Sequence, residues 1–478
     1  MAHAVSLEPL LLLQVGAAGG SVTGWSTIYN LRSGRLNSLL FSSSASLRRN
    51  DRVQGVFLSA NFGVRVGRRA SSVGHGLSRV PVRCCSYGDT EDKLNLEDFN
   101  DLERSNQPYG VPEMKVPDRW DVIGLGQAMV DCSGVVSDEF LDRLGLVKGT
   151  RKVVNHEERG ACISALDGCS YKLNAGGSLS NTLVALARLG AGHNSEPSLN
   201  VAMTGSVGSD PLGGFYRTKL KRAKVHFLSN PIPGGTTGTV IVLTTPDAQR
   251  TMLSYQGMSS IIDYNEALEQ QIANSKVLVV EGYLWELPET VETIARACRN
   301  TREKGILVAL TASDLSCVNR HREKMWDVMS ESADMIFCNV DEARALLGSD
   351  ISLTPSMAAG LLSKCCPLVS VTDGARGSYI GLKGEVTYIQ PAPCVPLDTC
   401  GAGDAYAAGV LYGFLRGVPH IKGIGNLAAR VAAMVVGQHG TRLKKEDAKE
   451  LVSSIPTFTR TPVGLMNLTA NEEQSVSA

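Results

Sequence analysis

The chain has 478 residues, 43% of them apolar, with 47 basic and 47 acidic side chains and a formal net charge of zero. That balance provides no global field for nucleic acid or acidic membranes, and no apolar run approaches the ~18 residues that span a bilayer. The length admits two or three average domains. The twelve cysteines include no C-x-x-C pair, so zinc-ligand spacing is missing, and the adjacent pairs Cys84-Cys85 and Cys365-Cys366 suit ordinary disulfides poorly. The expectation is reduced, mostly buried thiols.

Residues 1–88 contain ten arginines, no lysine and only Glu8 and Asp51 as acids, with serine clusters at Ser42-Ser43-Ser44 and Ser71-Ser72. A basic, Arg- and Ser-rich, acid-poor segment of this kind reads as an organelle transit peptide, the plainer alternative being a disordered tail without an address. A secretory signal would put positive charge before its apolar core, whereas Glu8 is the only formally charged side chain before Leu10–Leu13. The stretch Val82–Ser86 resembles a plastid processing site. The expected address is therefore the plastid stroma, with the mitochondrion as alternative. Residues 89–117 then turn acidic through Asp89, Glu91, Asp92, Glu97, Asp98, Asp101 and Glu103, and Pro112 and Pro117 punctuate the chain. A folded region is expected over 118–460 and a loose tail over 461–478.

Within the folded region, Trp120–Gly126 reads as a short buried strand ending in glycines, and Leu199–Met203 as another. The runs 239–244 and 250–254 flank the turn-rich spacer Thr245–Gln249, a hairpin pattern. Lys276–Glu281, Ile306–Thr311, Met335–Asn339 and Leu368–Thr372 are further apolar strands. Helical spacing appears between them, with Val291, Ile294, Ala295 and Cys298 on one face and Ala358, Leu361 and Leu362 on another. Strands alternating with helices predict an α/β fold with a mainly parallel sheet covered on both faces, its ligand beyond the carboxyl ends of the strands.

The most informative stretch comes late: Asp398-Thr399-Cys400-Gly401-Ala402-Gly403-Asp404, leading into the apolar Ala405–Val410. It reads as a glycine-rich turn feeding a helix. Amides at a helix start lack intrahelical partners, and the macrodipole adds positive potential, so such a turn can bind phosphate. An acid disfavours a phosphate site, and Asp404 therefore asks for a reason. A general base taking a hydroxyl proton while the turn holds a phosphoryl group supplies one. The bland reading is a helix start with a favourable first-turn acid. Cys400 sits beside this turn, where a helix N-terminus can lower a thiol pKa, although a small packing residue is the simpler reading.

Asp398–Asp404 resembles the signature of the PfkB (ribokinase-like) family of sugar and nucleoside kinases, and Asn174–Asn181, continuing to Gly190, resembles its second motif. The resemblance extends over about residues 118–460. It implies a ribokinase-like three-layer sandwich with a mainly parallel central sheet and a small β-sheet lid, the lid strands lying near 236–256. In some relatives the lid sheet is a dimer interface, so a homodimer through the lid is a further expectation. By resemblance, Asp404 is the base and Gly401, Ala402 and Gly403 form the anion hole. Asp131, Gly176, Gly177 and Asn181 hold the acceptor. Asn339 and Glu342, an N-x-x-E element, hold Mg²⁺ mainly through water. Thr372, Gly374 and Gly377 lie near the ATP phosphates and ribose. ATP and Mg²⁺ are thus the implied cofactors, with a monovalent cation as an additional one.

Other features remain open. Asp210 fits a family element but equally a helix N-cap before Pro211. Arg250 on the lid can neutralise transferred phosphate or be merely solvated. The partial fingerprint Gly124-Leu125-Gly126 lacks a third glycine, and no G-x-x-x-x-G-K-[ST] P-loop is present. Tyr171, Tyr255, Tyr283 and Trp285 can build a base slot for a nucleoside or pack the core. Glu281-Gly282-Tyr283-Leu284 leans toward adenosine-kinase-type members. The expected activity is ATP-dependent phosphorylation of a primary hydroxyl on a small-molecule sugar or nucleoside, without direct nucleic acid or membrane binding. The alternative is a catalytically dispensable PfkB-like scaffold associated with a plastid transcription complex.

Overall fold

The computed structural model describes residues 114–454 apart from 167–170, 192–196, 248 and 350–351. The chain divides into two units, Met1–Arg83 and Cys84–Ala478, and every described residue belongs to the second. The expected transit peptide, most of the acidic leader and the C-terminal tail lie outside the described residues.

The described chain opens on β1 (Trp120–Leu125) and passes directly into β2 (Met129–Val135) of a second sheet. Next come α1 (Asp138–Arg143), β3 (Arg151–Val153), α2 (His156–Ala165), β4 (Tyr171–Ala175), α3 (Ser178–Leu189), β5 (Val201–Thr204), α4 (Pro211–Arg222) and β6 (Val225–Phe227). The hairpin of β7 (Gly238–Thr244) and β8 (Arg250–Tyr255) returns to the second sheet. Alternation then sets in: α5 (Glu266–Ala273), β9 (Ser275–Val280), α6 (Val291–Glu303), β10 (Leu307–Thr311), α7 (Leu315–Ser332), β11 (Met335–Asn339), α8 (Val340–Leu346), α9 (Pro355–Leu362) and β12 (Leu368–Thr372). The edge strands β13 (Ser378–Leu382) and β14 (Glu385–Ile389) precede α10 (Ala402–Leu415), α11 (Ile421–Val436) and α12 (Lys445–Ser453).

The large sheet runs β14-β13-β12-β11-β10-β9-β1-β5-β6 and is parallel from β12 to β6, with β13 and β14 antiparallel at one edge. Both faces are covered, which is why its central strands read as unbroken apolar runs. Alternate residues nonetheless serve different layers. Val277 and Val279 of β9 pack under α3, α4, α10, α11 and α12, while Leu278 and Val280 pack under α5 to α9. The expected face of α6 is present: Ile294, Ala295 and Cys298 are buried and Val291 packs at its margin. In α9 the expectation needs correction, because Ala358, Ala359 and Leu362 face the core and Leu361 is exposed.

The smaller sheet runs β3-β8-β7-β2-β4 and carries its own apolar cluster around Phe140, Leu141, Ile241, Leu243 and Leu253. The lid is therefore larger than the hairpin that the sequence pattern revealed. It joins the main body through Gly126–Ala128 and Gly176–Gly177, so residues at those crossings lie between the two sheets. Among the described residues no helix is long and apolar enough to cross a membrane.

Candidate active site

Parallel strands end together, and their carboxyl ends supply the loops of this site. Glu281 follows β9, Asp314 lies beyond β10, Asn339 ends β11, and Thr372 ends β12 beside Asn339 in register. The helices α3 and α10 bring their N-terminal turns to the same edge, joined by hydrogen bonds between their side chains.

The first turn of α10 is built as the sequence suggests. Gly401 is its N-cap in the left-handed region (φ 79°) and offers no side-chain cap. A Cβ at Gly401 would also lie 2.7 Å from Thr441 O, so glycine is required for both conformation and space. Gly403 faces open space. Among the described residues, the Gly401 and Gly403 amides have no protein acceptor, whereas Ala402 donates to Thr399 O at 3.3 Å. The cradle thus has two free amides and a third already engaged in its own turn.

Asp404 is half-buried and turned toward α3. Ser178 Oγ donates to its Oδ1 at 2.6 Å and Asn181 Nδ2 to its Oδ2 at 3.0 Å. Burial raises the pKa of Asp404, and these two hydrogen bonds oppose the rise. Thr441 Oγ1 donates to Asn181 Oδ1 at 3.2 Å, which fixes the amide with its NH₂ toward the carboxylate.

Asp131 on β2 lies against the next loop so closely that a Cβ on Gly176 would run into its carboxylate. Gly177 caps α3 with φ 93°, a conformation that glycine adopts freely. Burial pushes the Asp131 carboxyl up to about 7, opposed by the Arg442 charge. Arg442 donates to Ala175 O and Ser180 Oγ, tying this loop to the segment after α11. Asp131, Gly176, Gly177, Asn181 and Asp404 therefore form one connected group, with Ser178, Thr441 and Arg442 as members that sequence reasoning did not single out.

The other predicted residues form a second group at the ends of β11 and β12. Asn339 and Glu342 make a capping box: Asn339 Oδ1 accepts from Asp341 N and Glu342 N at 2.9 Å, and Glu342 Oε2 accepts from Asn339 N at 2.8 Å. Burial pushes Glu342 up to about 7. Among the described residues no cluster of three or more His, Cys, Asp or Glu is placed to hold a metal. Replacing Asn339 by alanine should lower the unfolding free energy by about 1 kcal/mol. A fall in denaturant midpoint at unchanged m would register that loss. Beyond β12, Gly374 (φ 55°) and Gly377 (φ 97°) shape a loop in which Arg376 Nε holds Asp373 Oδ2 at 2.9 Å.

Four of the open features have definite surroundings. Asp210 is the N-cap of α4, accepting from Gly213 N at 3.0 Å and from Thr237 N at 2.9 Å. Arg250 reaches from the lid to the turn, 3.1 Å from Cys400 Sγ and 3.9 Å from Asp398 Oδ1. Burial pushes the Cys400 thiol up, opposite to the lowering a helix start favours. Of the four aromatic residues, Trp285 is fully buried, Tyr255 packs against His156 and Arg159, and Tyr171 packs in the lid cluster. Tyr283 remains half-exposed, within the electrostatic reach of Asp314, Glu281, Arg151 and Asp404.

Comparison with known proteins bears on this geometry. The model of the pfkB family carbohydrate kinases matches residues 162–448. A 5-dehydro-2-deoxygluconokinase of Clostridium perfringens is 24% identical over 275 residues, covering 55% of this chain and 78% of that protein. A fructokinase of Klebsiella pneumoniae is 28% identical over 270 residues, covering 55% and 83%. Among solved structures, adenosine kinase from Sinorhizobium meliloti superposes with a TM-score of 0.61 at 30% identity, over 70% of this chain and all of that one. The fold is ribokinase-like, and with more than half of its length matched by the family model the chain belongs to the pfkB family of carbohydrate kinases.

Proposed function

We propose that this kinase transfers the terminal phosphoryl group of ATP to a primary hydroxyl of a sugar or nucleoside, with Asp404 as base and the Gly401–Gly403 turn as anion hole. The observation that carries the reading is the Ser178–Asp404 contact. A hydroxyl donor 2.6 Å from Oδ1 stands where an acceptor hydroxyl must sit. The acceptor displaces Ser178, gives its proton to Asp404, and its oxygen attacks the terminal phosphorus. The leaving ADP oxygen departs on the far side, and the free amides hold the charge that develops. Arg250, already beside the turn, adds positive charge as the lid closes.

Asp131 supports recognition of a vicinal pair of hydroxyls, since a carboxylate accepts from two donors at once. Tyr283 offers an aromatic edge for a nucleoside base. The 30% identity to an adenosine kinase favours that acceptor class, while the curated sugar-kinase relatives keep sugars in the panel. Thr372, Gly374 and Gly377 would face the nucleotide.

The fit to Mg²⁺ is limited to contact through water, because Asn339 and Glu342 already bond each other's backbone. Bound there, Mg²⁺ would offset phosphate charge. A monovalent cation fits near the turn. Gln438 Oε1 is buried with no hydrogen-bond partner among the described residues, and Val436 O ties this segment to Leu397 N and Asp398 N. Such an ion would stiffen the anion hole.

Screening the full chain for Mg²⁺-dependent ATP consumption against sugars and nucleosides tests the reading. Stimulation is expected with at least one acceptor bearing a primary hydroxyl, and no stimulation by any member would contradict it and favour the scaffold alternative. Because Asp404 must be ionised and its pKa is raised, turnover should fall as pH drops through that pKa. The plastid address rests on the Arg- and Ser-rich residues 1–88 alone. Import and shortening by isolated plastids, but not by mitochondria, is the expected result. A homodimer through the lid would show as twice the chain mass in solution.

A further inference from the structure

One buried carboxylate at the strand ends has no part in the chemistry above. Glu281 ends the apolar run of β9 and is 1% exposed. A charged side chain so placed needs strong partners, and it has two backbone donors from separate elements. Gln127 N, in the crossing from β1 to β2, donates to Oε2 at 2.7 Å. Leu179 N, the second residue of α3, donates to Oε1 at 3.2 Å.

The second contact matters because α3 lacks a cap of its own. Its N-cap is Gly177, which has no side chain to offer, so the helix start would otherwise leave buried amides unsatisfied. Glu281 supplies an anionic cap from another element, 102 residues away in sequence. The turn it holds carries Ser178 and Asn181, the two donors on Asp404. Space around it is also fixed: a Cβ on Gly126 would lie 2.7 Å from Glu281 Oε2.

We propose that Glu281 is a positioning residue for Asp404, anchoring the helix turn that aims Ser178 and Asn181 at the base. This deepens the kinase reading and rests on it for its catalytic consequence. The groups facing the pair are few. Asp404 comes from α10, Tyr283 from the turn after β9, and Tyr216 from α4, with Asp131 and Arg442 acting on Tyr216 from beyond. Burial pushes Glu281 up to about 7, the two amides oppose this, and the Asp404 charge adds to it.

The sign follows directly. The Ser178 and Asn181 hydrogen bonds favour the ionised form of Asp404. Glu281→Gln sets an amide NH₂ against one of the two backbone donors and loosens the turn, so with both donors misaimed the Asp404 midpoint should move to higher pH, and the acid limb of kcat should move with it. Misaimed donors should also lower kcat by about 10- to 100-fold while KM for ATP stays nearly constant. A residue that merely supported the fold would lower the amplitude without moving the midpoint.

The experiment is a carbon-13 titration of side-chain carboxyls in the full chain. Asp404 is followed in wild type, Glu281→Gln and Glu281→Asp. An upward shift of the Asp404 midpoint in the variants supports the proposal. An Asp404 midpoint unchanged by Glu281→Gln overturns it, whether or not any acceptor has been found. Should Glu281→Gln not fold, the Glu281→Asp arm, whose shorter carboxylate withdraws from Leu179 N, decides alone: an Asp404 midpoint unmoved there overturns the proposal equally. Failure of the kinase reading would instead appear as absent turnover in wild type with the Asp404 shift intact.

Discussion

Asparagine at position 404 should reduce kcat by about 10²- to 10⁴-fold, the range for loss of a general base. Asparagine matches aspartate in shape, and its amide can still pair with Ser178 and Asn181, so the turn keeps its form. The Gly401 and Gly403 amides are untouched, and nucleotide affinity should change by less than about threefold, no more than one weak hydrogen bond's worth. Steady-state kinetics and nucleotide calorimetry on the same preparation separate these effects. Equal losses of turnover and nucleotide binding would make Asp404 a structural acid.

Gly176→Ala should be nearly as damaging, on the other substrate. Gly176 has an ordinary negative φ, so alanine brings no backbone strain. Its methyl group would collide with the Asp131 carboxylate, and either that side chain or the loop must move. Hydrogen bonds to a charged group contribute about 1.5–3 kcal/mol each, so displacing a carboxylate proposed to hold two hydroxyls should raise acceptor KM about 100-fold or more. KM for ATP should stay nearly constant, because Thr372, Gly374 and Gly377 belong to the other group of residues. Asp131→Asn is the companion variant and should raise acceptor KM in the same direction. An unchanged acceptor KM in both would remove Asp131 from the acceptor site.

The parts of this molecule legible in sequence are those whose signal is local. The strands β1 and β9 to β12 announce themselves as apolar runs between turns because both faces of the sheet are covered. The turn at Gly401 is readable because left-handed backbone, uncapped amides and a first-turn acid all fall within a few residues. The lid was only half legible. Its hairpin β7–β8 shows period-2 patterning, but β3 is three exposed residues and β2 mixes glycine, serine and aspartate. Such strands exist through pairing with partners elsewhere in the chain.

The supporting residues were hidden for a related reason. Thr441 meets Asn181 across 260 positions and Arg442 meets Ala175 across 267, distances that no periodicity reports. Glu281 did leave a trace, a lone acid directly after the apolar run Val277–Val280 of β9, which in a parallel sheet marks a ligand edge. Asn339 and Glu342 teach the converse. The N-x-x-E spacing that suggests a metal site is also the spacing of a capping box, and the structure shows the box formed.

The central claim is geometric: a terminal phosphoryl group on the Gly401–Gly403 amides, with an acceptor hydroxyl on Asp404. The most direct measurement is a crystal structure of the full chain with a non-hydrolysable ATP analogue, Mg²⁺ and an acceptor identified by the screen. The account predicts terminal phosphate oxygens about 2.9 Å from the Gly401 and Gly403 nitrogens. It also predicts the acceptor hydroxyl on Asp404 Oδ1, with Ser178 displaced. Phosphates bound away from that turn, or an acceptor seated while Ser178 still holds Asp404, would contradict it.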